Sequence, residues 1–243
     1  MPPLALTGER TLPDVPEENY WYRRHEVVYE WIARRVKGLR VIDMACGEGY
    51  GSAILARAGA QSVVGVDANP EAHEHARLRY GAPNLRFARD LVQTFDEPCD
   101  AVVFLQTIEH VEGPGEVLEH FRTLTGASGS AYISTPNVLT LAPRGAERSG
   151  NPWHVHEYRS GEFRELCEAH FANVEILGLH HARKLRLHEL AIRHARWDDV
   201  HARLRITKPF YDRFVPAISV RDFALRPNRL EQALDFVAIC SAS

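Results

Sequence analysis

Short apolar runs alternate with amphipathic segments along the first half of the chain. This pattern predicts a buried strand at 39–45 and further strands at 61–67, 84–90, 99–106 and 130–135, with helices at 50–59, 70–80 and 115–125 between some of them. Strands that alternate with helices through short connections predict right-handed βαβ units. We therefore expect an α/β fold whose mostly parallel sheet is covered by helices on both faces.

The same pattern extends to both flanks of this region. An acidic, proline-containing arm at 1–19 precedes an amphipathic helix at 20–35, and a helix at 160–170 leads into a strand at 172–181. The rhythm breaks over 182–230, where two helical-looking segments and a Pro/aromatic stretch follow one another. A last strand at 233–240 then makes seven strands in total.

Composition places this α/β chain among ordinary globular proteins. Its 243 residues carry a formal net charge of −3, which argues against general nucleic-acid affinity. The four cysteines lie far apart and form no CxxC pair, so a reducing cytoplasm fits them better than disulfides or a zinc site. No signal peptide and no apolar run of about 20 residues is visible, so we expect a cytoplasmic protein without membrane partners.

A glycine-rich turn follows the first predicted strand. The segment VIDMACGEGYG, residues 41–51, leads from a strand ending at Asp43 through Gly47 and Gly49 into a helix. Glycine lets the backbone turn sharply and lets a ligand approach closely. A carboxylate four positions before Gly47 would repel a pyrophosphate but attract an ammonium group. The expected ligand contacts in this segment are Asp43, Ala45, Cys46, Gly47 and Gly49.

Two more acidic residues follow the next two predicted strands. Asp67, beside Ala68, ends the second strand and can accept both hydroxyls of a ribose. Asp90 follows the third strand and can accept an adenine amine, while Leu91 packs on the ring. An ammonium, a ribose and an adenine met in this order describe S-adenosylmethionine. For Asp90, an ordinary exposed turn residue is the competing interpretation.

These motifs resemble those of the class I S-adenosylmethionine-dependent methyltransferases. DMACGEGYG, followed by VVGVDANP and then FARD, carries the resemblance, which covers roughly residues 20–181 and the last strand. It implies a Rossmann-like, seven-stranded, mostly parallel sheet with a helical lid insertion before the last strand. The cofactor-binding domain would be 1–181 plus 231–243, and the lid 182–230. In related enzymes the first helix closes over the cofactor, so Tyr22 or Arg24 could hold its carboxylate; a solvated amphipathic helix is the alternative.

The residues at the end of the fourth predicted strand indicate which class of molecule accepts the methyl group. FLQTIEHV, residues 104–111, lacks both the Asp/Asn-Pro-Pro-aromatic and the Pro-Cys markers of base methylases. It is similar to the Glu-x-x-Glu-His signature of ubiquinone-biosynthesis O-methyltransferases, with Gln106 in place of the first acid. Gln106 is expected near the cofactor, and Glu109 with His110 could hold Mg²⁺, although magnesium prefers oxygen ligands. Local hydrogen bonds at the start of a helix are the alternative.

Histidines after the fifth strand are the candidate bases. Transfer of a methyl group to a hydroxyl requires removal of the hydroxyl proton, and histidine suits that role. His154 and His156 would point to one side of an extended segment. We predict one of them as the general base, with His110 next. Ordinary loop histidines are the alternative.

The insertion 182–230 has a charge opposite to that of the rest of the chain. Its twelve Arg/Lys and five acids give +7, against −10 elsewhere, and aromatic residues lie among them. Such a segment suits a substrate lid or a homodimer surface. RITKPFYDRF and the GERTLP arm also look like actinobacterial polysaccharide-modifying methyltransferases.

We therefore predict an O-methyltransferase of a small-molecule acceptor. Its preferred acceptor is the hydroxyl of a sugar or anionic saccharide, and a phenolic or natural-product hydroxyl is the runner-up. RNA would also be attracted to the insertion, but the basic region is small for it. A non-catalytic cofactor-binding protein is the alternative from another class.

Overall fold

The computed structural model describes Leu4 and residues 11–143, 145–195 and 208–242. Its strands are β1 (Arg40–Met44), β2 (Ser62–Val66), β3 (Leu85–Ala88), β4 (Ala101–Leu105), β5 (Ser130–Pro136), β6 (Asn173–His181), β7 (Phe223–Arg226) and β8 (Asp235–Ser241). Its helices are α1 (Asn19–Ala33), α2 (Tyr50–Arg57), α3 (Pro70–Arg79), α4 (Pro114–Thr125), α5 (Val138–Leu141), α6 (Ser160–Glu168), α7 (Arg183–Ala195) and α8 (Lys208–Phe214). The strands and helices predicted outside 182–230 are confirmed, with ends that differ by a few residues.

The strands form one sheet in the order β3-β2-β1-β4-β5-β8-β6-β7. The first five in this order are parallel, whereas β8 runs antiparallel between β5 and β6. The chain turns outward in opposite directions from β1 and β4, so the carboxyl ends of these neighbouring strands flank a crevice. That crevice is where an open α/β sheet binds its ligand.

The prediction of seven strands is wrong by one. The additional strand is β7, which lies inside the insertion and pairs antiparallel with β6, from Gly178 opposite Arg226 to His181 opposite Phe223. Without β7, β6 would present an open row of backbone donors and acceptors. The four-residue strand thus covers the last four residues of that edge, 178–181.

Two hydrophobic layers sandwich the sheet because side chains alternate along each strand. On β1, Val41 faces the layer that contains α1 and α2, while Ile42 and Met44 face the layer that contains α4 and α6. Asp43 is a polar residue on the α1–α2 side, where apolar residues otherwise pack. Its position within that layer makes it the first residue that needs a functional explanation.

The described part of the insertion consists of α7, α8, a 3₁₀ turn and β7. The helix predicted at 198–206, together with Arg196, Trp197, Arg203 and Arg205, lies outside the described residues. Among the residues that the structure describes, no helix is both long and apolar enough to cross a membrane.

Candidate functional site

A cavity of about 300 Å³ opens at the carboxyl ends of β1, β2 and β4. Its walls come from the loops after these strands, from α1, from the start of α2 and from the amino-terminal arm. The lining residues are Thr11, His25, Tyr29, Ala45, Cys46, Gly47, Tyr50, Asp67, Leu105, Gln106, Thr107 and His110. The crevice expected from the strand order is therefore present.

The loop after β1 has the conformation that its glycines allow. Gly47 and Gly49 adopt φ values of 56° and 95°, and Ala45, with φ 54°, shares this left-handed region. A Cβ on Gly49 would come within 2.7 Å of Ala76, whereas one on Gly47 would have no neighbour within 4 Å. Gly49 thus allows close packing against α3, and Gly47 leaves open space on the cavity side.

Asp43 lies directly beneath this loop and has no solvent exposure. Its carboxylate accepts hydrogen bonds from the Tyr29 hydroxyl at 3.1 Å and the Ser52 hydroxyl at 2.6 Å. Burial raises the pKa of Asp43 to about 7, against the lowering effect of these hydrogen bonds, and the neighbouring Asp67 carboxylate contributes in the same direction as burial. A cation in the cavity would relieve the cost of ionising Asp43.

Asp67 lines the cavity at the end of β2. One carboxylate oxygen accepts the Gly47 backbone N–H at 2.7 Å, and the other accepts the Asn69 N–H at 2.9 Å. These bonds fix the Asp67 carboxylate between the loop after β1 and the loop after β2. Each oxygen keeps a further lone pair with which it can accept a ligand hydroxyl.

Four lining residues that the sequence did not assign come from the arm and from α1 and α2. The Tyr50 hydroxyl lies 3.0 Å from Thr11 Oγ1 and 3.1 Å from His25 Nδ1. Burial lowers the pKa of His25 to about 4, so its imidazole is neutral. Tyr29, the fourth residue, reaches Asp43. No local motif marks these residues, because the packing of α1 on α2 brings them together.

Arg24 and Tyr22 of α1, which were predicted to hold the cofactor carboxylate, bind other protein groups in the structure. Arg24 is buried and pairs through both Nε and Nη2 with the carboxylate of Asp235 at the start of β8. The Tyr22 hydroxyl donates to Glu26 at 2.8 Å. Since neither side chain lines the cavity, the structure does not favour them as ligands of the cofactor carboxylate.

The predicted adenine contacts, Asp90 and Leu91, lie in the loop after β3. Asp90 accepts hydrogen bonds from its neighbour's backbone N–H and from the Thr94 hydroxyl, which lower its pKa. Leu91 is 53% exposed. These two residues and the exposed Ala68 are outside the lining of the described cavity.

The end of β4 forms the opposite wall. Gln106 adopts a left-handed φ of 51°, and its amide nitrogen donates to the Ser134 hydroxyl at 2.9 Å. The chain then enters a 3₁₀ turn, Ile108–His110, so His110 lines the cavity while Glu109 points into the protein. Burial raises the pKa of Glu109 to about 8, although the Thr135 hydroxyl donates to it.

Glu109, His110 and His154 form a compact cluster next to the cavity. Each offers one potential ligand atom, and these atoms all lie within 4.8 Å of one another. His110 Nδ1 lies 2.9 Å from the Trp153 carbonyl oxygen, to which it must donate. In the neutral ring this tautomer places the lone pair on Nε2. The contact between His110 and Trp153 shows that the loop after β5 reaches back to the end of β4.

His154 has a carboxylate partner that sequence reasoning missed. Its Nδ1 lies 2.7 Å from Glu157, and both side chains are largely buried. Burial would raise the pKa of Glu157, but hydrogen bonds from Ser149 and His154 outweigh burial and lower it. Glu157 follows His154 by three positions, and this spacing was the sequence signal that could have identified the pair. His156, by contrast, is exposed and packs on Tyr158.

Comparison with known proteins identifies the family. Residues 20–176 match a family model described as a methyltransferase domain. A probable S-adenosylmethionine-dependent methyltransferase of Mycolicibacterium smegmatis is 37% identical over 97% of this chain and 94% of its own length. A ubiquinone biosynthesis O-methyltransferase of Albidiferax ferrireducens is 33% identical over 70% of this chain and 73% of its own.

A solved structure shares the fold. It is an S-adenosylmethionine-dependent methyltransferase of Thermotoga maritima, described as a possible histamine N-methyltransferase. It superposes with a TM-score of 0.60 at 13% identity, covering 95% of this chain and 96% of the other. The chain therefore belongs to the S-adenosylmethionine-dependent methyltransferases.

Proposed function

We propose that this enzyme transfers the methyl group of S-adenosylmethionine to a hydroxyl oxygen of a small molecule. The contact between His154 and Glu157 carries the proposal. A buried carboxylate that accepts the Nδ1–H of an imidazole fixes the tautomer in which Nε2 can take a proton. Hydroxyl acceptors need such a base because their oxygen attacks as its proton leaves.

The bound cofactor supplies an electrophilic methyl group on its sulfonium. His154 Nε2 would take the hydroxyl proton as the acceptor oxygen bonds to the methyl carbon and the carbon–sulfur bond breaks, its electron pair leaving with the sulfur of S-adenosylhomocysteine. Glu157 would stabilise the resulting imidazolium. Within the cavity, Asp67 accepts the ribose hydroxyls, and Asp43 lies beneath the loop that holds the methionyl end. Asp90 and Leu91, in the loop after β3, would contact the adenine.

The preferred acceptor is an anionic saccharide. Trp153, whose carbonyl oxygen accepts from His110, is 58% exposed and offers an aromatic face beside the cluster. The insertion 182–230, with its charge of +7, would act as a lid toward an anionic acceptor. The named ubiquinone biosynthesis relatives keep a phenolic acceptor as the second candidate.

The test is methyl transfer from labelled S-adenosylmethionine to two panels of acceptors. One panel holds uronate-containing and neutral oligosaccharides, and the other holds catechols and phenols. Product linkage is read by mass spectrometry after acid hydrolysis. O-methylated product from either panel supports O-transfer and selects the acceptor class, whereas N- or C-methylated products alone would refute the proposal.

Asp67→Ala is expected to weaken S-adenosylhomocysteine binding about 100-fold. Loss of two hydrogen bonds from ribose hydroxyls to a carboxylate costs about 3 kcal/mol. Isothermal titration calorimetry measures the change. Glu71→Ala removes an equal charge from the first turn of α3 and serves as the control. Equal affinity of both variants and wild type would exclude Asp67 as the ribose ligand.

The affinity for S-adenosylhomocysteine is expected to rise as pH increases from 6 to 8. Burial sets the pKa of Asp43 at about 7 in the free enzyme, so Asp43 is mostly protonated at pH 6. If the ligand's ammonium group stabilises the ionised form of Asp43, then binding at pH 6 must remove the proton from this carboxyl group. The affinity should then increase about tenfold across this interval and level off above it.

Asp43→Asn provides the control for this pH dependence. It should bind more weakly at pH 8 and lose the dependence between pH 6 and 8. A wild-type affinity that stays constant over this interval would contradict the role of Asp43. The variant also tests the linkage to stability. Because the folded-state pKa of Asp43 lies above its ordinary value of 3.8, the wild-type free energy of unfolding should fall as pH rises from about 4 to about 7, where the unfolded chain has lost this proton and the folded chain keeps it. It should level off above about 7, and Asp43→Asn should lack this fall.

The cluster of Glu109, His110 and His154 also favours a second candidate, a divalent-metal-dependent enzyme. One carboxylate and two imidazoles suit Mn²⁺ or Zn²⁺ better than the Mg²⁺ considered from the sequence. The oxygen acceptors on both Nδ1 atoms are typical of the partners of ligating histidines.

EDTA-treated protein should then bind Mn²⁺ stoichiometrically, and His110→Ala should abolish that binding. Calorimetry without acceptor measures it directly. His156→Ala, which alters a histidine of the same loop outside the cluster, should bind like the wild type. Full activity after EDTA treatment together with no measurable Mn²⁺ binding would leave His154 in the role of base alone.

A further inference from the structure

A second, smaller pocket of about 170 Å³ lies at the carboxyl end of β6, away from the cofactor cavity. It is enclosed by the end of β6, by α7 and by the segment that leads from β7 to β8. Its lining residues are His180, His181, Arg186, Glu189, Leu190, Arg226, Asn228, Arg229, Gln232 and Leu234. Neither the family match nor the proposed chemistry uses this pocket.

Positive charge dominates the lining of this pocket. Arg186, Arg226 and Arg229 contribute three guanidiniums, against the single carboxylate of Glu189. That carboxylate lies 3.0 Å from His181 Nδ1. Within the described part of the chain, no ion pair is found for any of the three arginines. Three guanidiniums that line one pocket and have no carboxylate partner among the described residues favour an anionic ligand.

A buried nitrogen in the same pocket lacks a protein partner. Nε2 of His180 is shielded from solvent and makes no hydrogen bond within the described structure. Buried polar atoms of this kind are uncommon, because an unmet hydrogen bond costs free energy. A polar group of a ligand in the pocket would satisfy this atom.

The backbone holds one of the arginines in a strained position. Arg229 has φ 56°, in the left-handed region that non-glycine residues rarely adopt. The turn that follows is fixed by Asn137, whose side-chain amide donates to the carbonyl oxygens of Leu230, Glu231 and Ala233. Ala45 and Gln106, which share this region of φ, both line the cofactor cavity. Such strain is typical of ligand-binding positions.

The pocket lies on the same edge of the sheet as the candidate catalytic cluster. β6 is three strands from β4 in the sheet order, which corresponds to about 14 Å at the spacing of neighbouring strands. Leu234 lines the pocket, and its carbonyl oxygen accepts from Arg24, the partner of Asp235, so the pocket borders the contact between α1 and the start of β8. An acceptor longer than a single sugar ring could span this separation.

We propose that this basic pocket binds the anionic group, a carboxylate or phosphate, of the methyl acceptor. The inference rests on the proposed O-methyl transfer for the identity of the ligand, while binding of an anion at the pocket can be tested by itself. The anion would pair with Arg186, Arg226 and Arg229. The hydroxyl to be methylated would then lie toward His154.

The first arm of the test measures binding without catalysis. Inorganic phosphate and D-glucuronate are titrated separately into the full chain, with D-glucose as the neutral probe, and the His180 ring protons are followed by NMR. Arg226→Gln and Arg229→Gln should each weaken anion binding about tenfold or more. Arg122→Gln removes the same charge from α4 and should bind like the wild type. Equal binding by all variants would overturn the proposal.

The second arm compares an oligosaccharide that ends in glucuronate with its neutral counterpart in the methyl-transfer assay. Arg229→Gln should raise KM for the anionic acceptor about tenfold and leave its kcat, the neutral acceptor and cofactor affinity unchanged. If phosphate binding depends on Arg229 but KM for the anionic acceptor does not, the pocket holds a free anion and the acceptor assignment is wrong. If no acceptor is O-methylated while the arginine variants still lose anion binding, the proposed function fails and the anion site stands.

Discussion

Replacement of His154 by alanine is expected to lower kcat by about 10²–10⁴-fold, the usual contribution of a general base. The affinity for S-adenosylhomocysteine should stay unchanged, because His154 lies outside the cofactor cavity lining. Loss of the imidazole leaves the acceptor hydroxyl without a group that can take its proton. Single-turnover methyl transfer to a saturating acceptor measures this step apart from product release.

Two further variants separate catalysis from structure. Glu157→Gln keeps the shape of the partner but removes its charge, so kcat should fall while His154 remains in place. His156→Ala alters an exposed histidine of the same loop and should retain near-wild-type kcat. If His156→Ala reduces kcat as strongly as His154→Ala, the assignment of the base to His154 is wrong.

Much of the fold could be predicted from periodicity alone. The central strands β1, β2 and β4 are short apolar runs, and their burial on both faces requires that pattern. β7 escaped prediction because Phe223–Arg226 is four residues long and has no alternation of its own. Its pairing with β6 depends on the edge that β6 presents, which is a tertiary property.

In the candidate site, too, the residues at strand ends could be predicted from the sequence, whereas those placed by tertiary packing could not. Ala45, Cys46, Gly47, Asp67 and Gln106 follow directly from strand ends, and each lines the cavity. By contrast, the sequence gives no indication that α1 directs His25 and Tyr29 toward the cavity while it directs Arg24 toward β8. That choice depends on how the helix is rotated against the sheet.

The near-neutral net charge likewise concealed a local feature. Five of the twelve basic residues of the insertion, Arg193, Arg196, Arg203, Arg205 and Lys208, have no described side chain. Among the others, Arg186, Arg226 and Arg229 meet at one pocket, whereas Lys184 pairs with Asp222. A count of charges could not separate a ligand site from a structural ion pair.

Arg24→Met is expected to lower the free energy of unfolding by about 3–5 kcal/mol, since it would leave Asp235 as a buried charge without its partner. Arg24 and Asp235 are only 5% and 1% exposed, and Arg24 also donates to the Leu234 carbonyl oxygen at 2.9 Å. Urea denaturation of the cofactor-free protein measures the loss. Arg40→Met, which breaks an ion pair at the exposed start of β1, should cost far less and is the matched control.

The double variant Arg24→Met/Asp235→Leu distinguishes a stabilising ion pair from a charge that merely needs its partner. Because a buried pair contributes little beyond the cost of desolvating it, replacement of both residues by apolar ones should recover most of the stability lost in Arg24→Met. A double variant as unstable as the single one would mean that the pair itself stabilises the fold.

The pair joins α1 to β8, and His25 and Tyr29 follow Arg24 on that helix. A double variant that recovers stability but binds S-adenosylhomocysteine more weakly would therefore show that the pair sets the position of α1 over the cavity.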